Sequence, residues 1–194
     1  MNEETIAVLP ARSGSKRIPH KNIKPFSGEP LLVRAIRRAR DCPQLDRVFV
    51  DTDSEDYRQI ALQEGAECPF LRDRYDDEHS SVSDATTHFL ERLIQSRQAS
   101  PTTIVQLMVN CPLRTTEGIT TSLSVFREQA RSFQISSFRF PMATPWWGHI
   151  VKDNAPALPL FPEKLRCRSQ DLEDVQFPTG AIWIANAAAL LEAR

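Results

Sequence analysis

The sequence predicts an α/β protein in which a mostly parallel β-sheet is flanked by helices. Short apolar runs that are typical of buried strands, at residues 6–9, 47–50 and 103–109, alternate with amphipathic helical segments. Strands and helices that alternate in this way form parallel sheets built from strand-helix-strand units. The chain has 194 residues, of which 41% are hydrophobic, which is enough for one domain with a sizeable core.

The first helix and the second strand follow the strand at residues 6–9. Residues 30–40 predict a helix with Pro30 at its first position, where a missing amide hydrogen costs nothing. Its inward face consists of Leu32, Ile36 and Ala39. The strand at 47–50 leads to a second helix, for which Ser54 is the N-cap and Gly65 the end.

The central part of the chain repeats this pattern. We expect a short strand at 67–71, then a helix that starts at Ser83 or Asp84 and turns Phe89, Leu90, Leu93 and Ile94 inward. After the strand at 103–109, Thr115 or Thr116 caps a helix whose inward face is Ile119, Leu123 and Phe126.

The last third of the chain has strands at 134–138 and 181–185, and Asn186 caps a short closing helix. Between these strands the periodicity breaks, at about residues 141–178, in a proline-rich stretch that contains Trp146 and Trp147. An irregular insertion of this length makes a pocket or an interface in most compact domains. The alternative is that the tryptophans cover the sheet edge. We expect one domain, residues 1–194, that includes this insertion.

The loop after the first strand is the most informative segment. Residues 10–22 read PARSGSKRIPHKN and carry Arg12, Lys16, Arg17 and Lys21, with no acidic residue before Glu29. A strand that ends in small residues and cations is suited to phosphates. The segment is neither a Walker A loop nor a dinucleotide fingerprint, because both need further glycines. A solvated basic turn is the alternative interpretation.

Composition excludes several classes of function. The net charge of −1 argues against a nucleic-acid binder, and no apolar stretch is long enough to span a membrane. The N-terminus does not resemble a signal peptide, so we expect a cytoplasmic protein. The four cysteines lack zinc-site spacing, and we expect reduced thiols.

Residues 10–22 resemble the signature of the acylneuraminate cytidylyltransferases, which activate sialic acid and related nonulosonic acids as CMP sugars. That signature usually reads PARGGSKRIPRKN, so Ser13 and His20 are departures. Five later segments agree in order: VDTDS at 50–54, PFLR at 69–72, CPLR at 111–114, RSQDL at 168–172 and PTGAIWI at 178–184. The resemblance implies a Rossmann-like fold of the nucleotide-diphospho-sugar transferase type. It also implies transfer of CMP from CTP to the anomeric hydroxyl of a nonulosonic acid, with release of pyrophosphate.

The resemblance also implies site residues. Arg12 and Lys21 would be catalytic, and Arg72 would select cytosine, with Ser81 as a weaker second candidate. The residues implied for CTP binding are Arg12, Ser13, Gly14, Ser15, Lys16, Lys21, Asn22, Arg72 and Ser81. The alternative for Arg72 is a surface ion pair with Asp73, Asp76 or Asp77. Arg17 is as readily explained as a solvated residue.

The sugar site departs from the family pattern. Met108 stands where the family has a glutamine, and Gln106 is two positions early, so the role of that glutamine does not carry over. The sugar-binding candidates are Asn110, Arg168 and Gln170; a guanidinium can hold a sugar carboxylate in a bidentate fork. The alternative for Arg168 is a loop arginine without a ligand.

A metal ion and a second subunit are further expectations. Transfer chemistry on CTP calls for Mg²⁺, with Mn²⁺ as an alternative, and the resemblance implies a homodimer. The acidic segment that supplies carboxylates late in the family is absent from this sequence, so the metal ligands stay unassigned; Asp51, Asp53 and Asp171 are unproven alternatives. Two other functions stay open: a catalytically inactive nucleotide- or sugar-binding relative, and a Kdo-type cytidylyltransferase.

Overall fold

The computed structural model describes residues 3–15, 17–75, 80–139 and 145–193. Its strands are β1 (Thr5–Pro10), β2 (Pro25–Phe26), β3 (Glu29–Pro30), β4 (Arg47–Asp51), β5 (Thr103–Leu107), β6 (Phe133–Arg139), β7 (His149–Ile150), β8 (Leu158–Pro159) and β9 (Gln176–Asn186). Its α-helices are α1 (Leu31–Arg40), α2 (Glu55–Gln63), α3 (Val82–Gln95), α4 (Thr116–Glu128) and α5 (Ala187–Glu192). Among the helices of the described ranges, none is long and apolar enough to cross a bilayer.

The main sheet has five strands in the order β4-β1-β5-β9-β6. Strand β1 runs parallel to β4 on one side and to β5 on the other, while β9 runs antiparallel to β5. The parallel strands β4, β1 and β5 therefore lie side by side in one half of a mixed sheet, with β4 at its edge. The α/β fold class predicted from the alternating pattern is confirmed.

Both faces of the parallel strands are buried, which explains why the strands are continuous apolar runs. On one face, Ala7 and Leu9 of β1 pack in a core with residues of α1, α2 and α4. On the other face, Ile6 and Val8 pack against α3 and α5. The inward faces predicted for α1 and α4 are confirmed, because all their residues are buried.

Most of the N-cap residues predicted from the sequence are also found in the structure. The side chains of Ser54, Thr115 and Asn186 accept hydrogen bonds from backbone amides in the first turns of α2, α4 and α5. These three caps confirm the predictions. Helix α3 instead begins one or two residues earlier than predicted, with Ser81 as its N-cap.

Two local predictions are wrong. Residues 67–71 do not form a strand, since only Glu67 bridges to Phe49 of β4. The ladder stops there because Pro69 has no amide hydrogen to donate to a neighbouring strand. Ile94 is 37% exposed, although Phe89, Leu90 and Leu93 beside it are buried as predicted.

The chain forms two compact units, the first consisting of Met1–Ser136 with Gly180–Arg194 and the second of Ser137–Thr179. The second unit contains the β7-β8 hairpin and aromatic packing of Trp146 on Phe161, with ring centroids 4.9 Å apart. The Nε1 atom of Trp146 donates to the carbonyl of Glu173 at 3.0 Å. The single domain expected for residues 1–194, with its insertion at 141–178, stays a prediction.

Candidate active site

A cavity of about 300 Å³ lies in the first unit, where β1, β4 and β5 end. Because β1 has a parallel neighbour on each side, the connections that leave these strands diverge, which opens a ligand crevice at their carboxyl ends. The cavity is lined by Pro10, Arg12, Ser15, Arg17, Lys21, Asn22, Arg72, Tyr75, Ser80, Ser81, Val82, Ala85, Met108, Val109 and Asn110. Residues separated by a hundred positions in sequence thus share one site.

The charge of this cavity is strongly one-sided. Four cationic side chains line it, those of Arg12, Arg17, Lys21 and Arg72, and none of the described lining residues is acidic. Walls of one sign concentrate the field inside a cleft and attract the opposite charge. The cavity is therefore suited to a polyanion such as a triphosphate.

The loop after β1 is anchored to the end of β4. The amide of Ala11 donates to the carbonyl of Asp51 at 2.9 Å, and the Thr52 hydroxyl donates to the carbonyl of Ala11 at 2.7 Å. Within the loop, Nδ2 of Asn22 donates to the carbonyl of Arg12 at 3.0 Å. Asn22 lines the cavity, but its buried side chain also has this structural role.

Ser13 and Asp53 form a second anchor. The Ser13 amide donates to Oδ1 of Asp53 at 2.7 Å and its hydroxyl to Oδ2 at 2.8 Å. Ser13 and Gly14 do not belong to the lining, and a Cβ atom built on Gly14 would meet no heavy atom within 4 Å. Their contacts with CTP stay a prediction, and Lys16 lies outside the described residues.

Arg72 forms a buried ion pair with Asp51, the last residue of β4. Its Nε and Nη2 atoms donate to Oδ2 of Asp51, Nε at 3.0 Å, and Nη2 also donates to the Asp51 carbonyl at 3.0 Å. Burial raises the pKa of the Asp51 carboxyl, and the charge of Arg72 opposes that rise. Arg72 thus has a carboxylate partner as the alternative interpretation requires, but the partner is buried and comes from β4.

The acids named as surface partners of Arg72 are placed differently. Oδ1 of Asp73 accepts from Arg92 at 3.1 Å and lies 3.0 Å from Nε2 of His88. These neighbours lower the pKa of Asp73, with the hydrogen bond to His88 as the largest cause. Asp76 and Asp77 lie outside the described residues.

The far wall of the cavity comes from α3 and from the segment after β5. The Ser81 hydroxyl accepts from the Asp84 amide at 3.0 Å and donates to the Asp84 carboxylate at 2.7 Å, so it is already engaged as a helix cap. Asn110 is exposed and Met108 half-buried. The buried Gln106 contacts Met108, with its Nε2 atom 3.9 Å from the Met108 sulfur, and its Oε1 accepts from the hydroxyl of Thr86 at 2.8 Å.

Arg168 and Gln170 lie in the second unit and are not part of the cavity lining. The Arg168 guanidinium forms a two-point ion pair with Asp171, with Nε–Oδ2 at 2.7 Å and Nη2–Oδ1 at 3.1 Å. Its side chain is 71% exposed, so this pair lies in solvent. The roles of both residues in sugar binding stay predictions.

The metal ligands stay unassigned in the part of the chain that the structure describes. Within those ranges no group of three His, Cys, Asp or Glu side chains could hold a metal ion. Each of the three acids considered from the sequence has a partner, because Asp51 binds Arg72, Asp53 binds Ser13 and Asp171 binds Arg168.

Sequence reasoning missed the roles of Asp51, Thr52 and Asp53. All three hold other site segments in place, whereas the sequence suggested only metal binding for Asp51 and Asp53. Their position directly after a buried strand and beside the loop strand was the available signal, because adjacent parallel strands end at the same sheet edge.

A family model described as cytidylyltransferase matches residues 6–137, which include every residue of the cavity lining. The chain belongs to the cytidylyltransferase family. A pseudaminic acid cytidylyltransferase of Campylobacter jejuni is 29% identical over 191 residues, covering 97% of this chain and 81% of that protein. An N-acylneuraminate cytidylyltransferase of Streptococcus agalactiae is 29% identical over 188 residues, covering 96% of this chain and 44% of that protein.

A solved structure supports the fold. A CMP-2-keto-3-deoxy-manno-octonic acid synthetase complexed with CTP superposes with a TM-score of 0.72 at 19% identity, covering 98% of this chain and 77% of that one. At this identity the likeness shows the common fold, in which the cavity occupies the carboxyl ends of the parallel strands.

Proposed function

We propose that this chain transfers CMP from CTP to the anomeric hydroxyl of a nonulosonic acid and releases pyrophosphate. The observation that carries the proposal is the cationic cavity without acidic lining residues at the ends of β1, β4 and β5. Family membership and relatives named for pseudaminic acid and N-acylneuraminate support CTP and this class of sugar as substrates.

In the proposed reaction, the sugar hydroxyl oxygen bonds to the α-phosphorus of CTP. The bond from that phosphorus to the oxygen bridging to the β-phosphate breaks, pyrophosphate leaves, and the hydroxyl proton passes to solvent. The chain contributes mainly position and fixed charge. Arg12 and Lys21 line the cavity and would stabilise the negative charge that builds on the phosphates. Ser15 and the loop backbone would hold the triphosphate in place.

Sugar recognition is proposed for Asn110, Arg168 and Gln170. Asn110 lines the same cavity as Arg12 and Lys21, which supports its place beside the reacting phosphate. Arg168 could exchange its solvent-exposed pair with Asp171 for the carboxylate of the sugar, because an exposed ion pair is weak.

The remaining parts of the proposal concern the cofactor, the assembly and the location. We keep Mg²⁺, or Mn²⁺, as the required ion; one or two carboxylates together with the phosphates of CTP would hold it. A homodimer and a cytoplasmic location also stay proposals. A metal titration after chelation and light scattering of the purified protein test the first two.

The test of the proposed function is a pyrophosphate-release assay. CTP is combined with pseudaminic, legionaminic and N-acetylneuraminic acids and with Kdo, in Mg²⁺ buffer. We expect release with at least one nonulosonic acid. If a folded protein releases pyrophosphate with none of the four, the transferase proposal fails.

Two observations favour the other candidate functions. Met108, which stands where the family has a glutamine, lines the cavity, and this departure favours a catalytically inactive nucleotide-binding relative. Calorimetry that shows CTP binding without turnover would select that function. A relative named as a 3-deoxy-manno-octulosonate cytidylyltransferase, which is 29% identical over 149 residues, favours the Kdo-type enzyme, and turnover with Kdo alone would select it.

A further inference from the structure

Asp51 is a buried charge that does not line the cavity but holds a residue that does. The Asp51 and Arg72 side chains are only 2% and 5% exposed, so water hardly screens their interaction. The Asp51 carbonyl also accepts from Nη2 of Arg72, and the Arg72 amide donates to the carbonyl of Thr52 at 2.7 Å. Backbone and side chain of Arg72 are thus both bound to the end of β4.

The N–H groups of the Arg72 guanidinium are not all used by its contacts with Asp51. A guanidinium has five N–H donors. The single Nε hydrogen and both Nη2 hydrogens are directed to Asp51, and Nη1 makes one long contact of 3.4 Å with the Tyr75 carbonyl. Among the described residues, one Nη1 hydrogen has no acceptor. Nη1 is also the nitrogen nearest Tyr75, which lines the cavity together with Arg72.

The same strand end holds the phosphate loop. The Asp51 carbonyl accepts from Ala11, the first residue after β1, while its carboxylate accepts from Arg72. Asp51 therefore connects the triphosphate side of the cavity to the side where Arg72 lies. Because β4 pairs with β1 as far as Asp51, and the Asp51 side chain is only 2% exposed, this connection is held in place.

We propose that Asp51 is a positioning residue that aims Nη1 of Arg72 at the base of the bound nucleotide and thereby favours cytosine over uracil. This inference rests on the proposed function. Cytosine presents hydrogen-bond acceptors at O2 and N3, whereas uracil carries an N–H at N3. A fixed N–H donor pairs with the cytosine edge and opposes the N–H of uracil. Asp51 itself touches neither the substrate nor the reacting phosphate.

Selectivity of this kind depends on a fixed direction. A site built to hydrogen-bond a polar edge rejects analogues strongly only while its buried groups are held in place. Without the Asp51 carboxylate, the Arg72 guanidinium can reorient and form hydrogen bonds with either cytosine or uracil. The expected effect is therefore on nucleotide preference and on KM, and less on the chemical step.

The test compares Asp51→Asn with wild type in KM and kcat for CTP and UTP. We expect a KM for CTP that is about tenfold higher or more, a smaller change in kcat, and a lower preference for CTP over UTP. Arg72→Lys keeps the charge but loses the fork, and we expect it to lose the same preference.

Glu67→Gln is the matched control. Glu67 forms a two-point ion pair with Arg47, the first residue of β4, with Nε–Oε1 at 2.7 Å, at the end of the strand away from the cavity. Its loss should leave KM and the nucleotide preference at wild-type values. A preference that falls as much in Glu67→Gln as in Asp51→Asn would mean a general structural effect and would overturn the inference.

Three further results would also test the role of Asp51. A folded Asp51→Asn protein with wild-type KM and wild-type preference would overturn the role of Asp51. If Asp51→Asn does not fold, Arg72→Lys decides, and an unchanged preference in that variant refutes the inference. If wild type releases no pyrophosphate, the proposed function fails, while calorimetry with CTP and UTP on the same variants still tests Asp51.

Discussion

The hydrogen-bonded pair of Ser13 and Asp53 gives a prediction that can be worked out from the structure. Asp53 accepts from both the amide and the hydroxyl of Ser13, at 2.7 and 2.8 Å, in a half-buried position. A hydrogen bond to a charged group contributes about 1.5–3 kcal/mol. Ser13→Ala removes one bond and should cost about 1.5 kcal/mol of unfolding free energy. Asp53→Ala removes both and should cost about 3 kcal/mol.

The assay is urea unfolding of both single variants and the double variant. Once Asp53 is absent, the Ser13 hydroxyl has lost its acceptor, so the double variant should be no less stable than Asp53→Ala. The coupling energy should then be about 1.5 kcal/mol. Ser96→Ala serves as control, because its hydroxyl bonds to Arg92 on α3 and shares no partner with Asp53. Ser13 and Asp53 effects that add within about 0.3 kcal/mol would refute the pair.

Further predictions concern catalysis, ligand approach and titration. Arg12→Ala and Lys21→Ala should each lower kcat/KM by about 10²-fold or more. Lys24→Ala is the control and should leave kcat/KM unchanged, because Lys24 is exposed and outside the cavity lining. Equal losses in all three variants would exclude specific roles for Arg12 and Lys21. Gly14→Ala should leave the urea midpoint unchanged or slightly higher, because a Cβ atom at this position would have no heavy atom within 4 Å. The same substitution should weaken CTP binding in calorimetry if the phosphates approach the backbone of Gly14. Unchanged CTP binding would contradict that approach. Burial raises the pKa of the Cys68 thiol to about 11. Since the unfolded thiol ionises first, near its ordinary pKa of 9.0, the free energy of unfolding should fall from about pH 9 to 11. That fall should be smaller in Cys68→Ala, and identical pH profiles for the two proteins would contradict it.

Much of the fold could be predicted because it depends on local signals. The apolar strands, the inward faces of α1 and α4 and the caps Ser54, Thr115 and Asn186 follow from spacing and from short-range hydrogen bonds. The strand expected at 67–71 failed because pairing with a neighbour decides whether an extended segment becomes a strand, and Pro69 ends that pairing after Glu67.

Part of the candidate site could likewise be predicted from the sequence, and part could not. The resemblance implies site roles for the cations at 12, 21 and 72, while Arg17 is as readily explained as a solvated residue; the structure places all four around one cavity. The partners of these groups could not be named. Ser13 and Asp53 are 40 positions apart and meet because β1 pairs with β4. Asp51 and Arg72 are 21 positions apart and meet because the segment from Glu67 to Arg72 lies against the end of β4.

The sequence alone was therefore sufficient to predict the α/β class, the candidate phosphate loop and family membership. Periodicity, capping and motif spacing depend only on residues that are close together in the sequence. The tertiary structure was needed to show that the loop of residues 10–22 is anchored by Asp51, Thr52 and Asp53, and that Arg72 is a buried, directed donor. The physical reason is that hydrogen bonds and ion pairs between distant segments depend on strand register and burial, which emerge only when the chain packs.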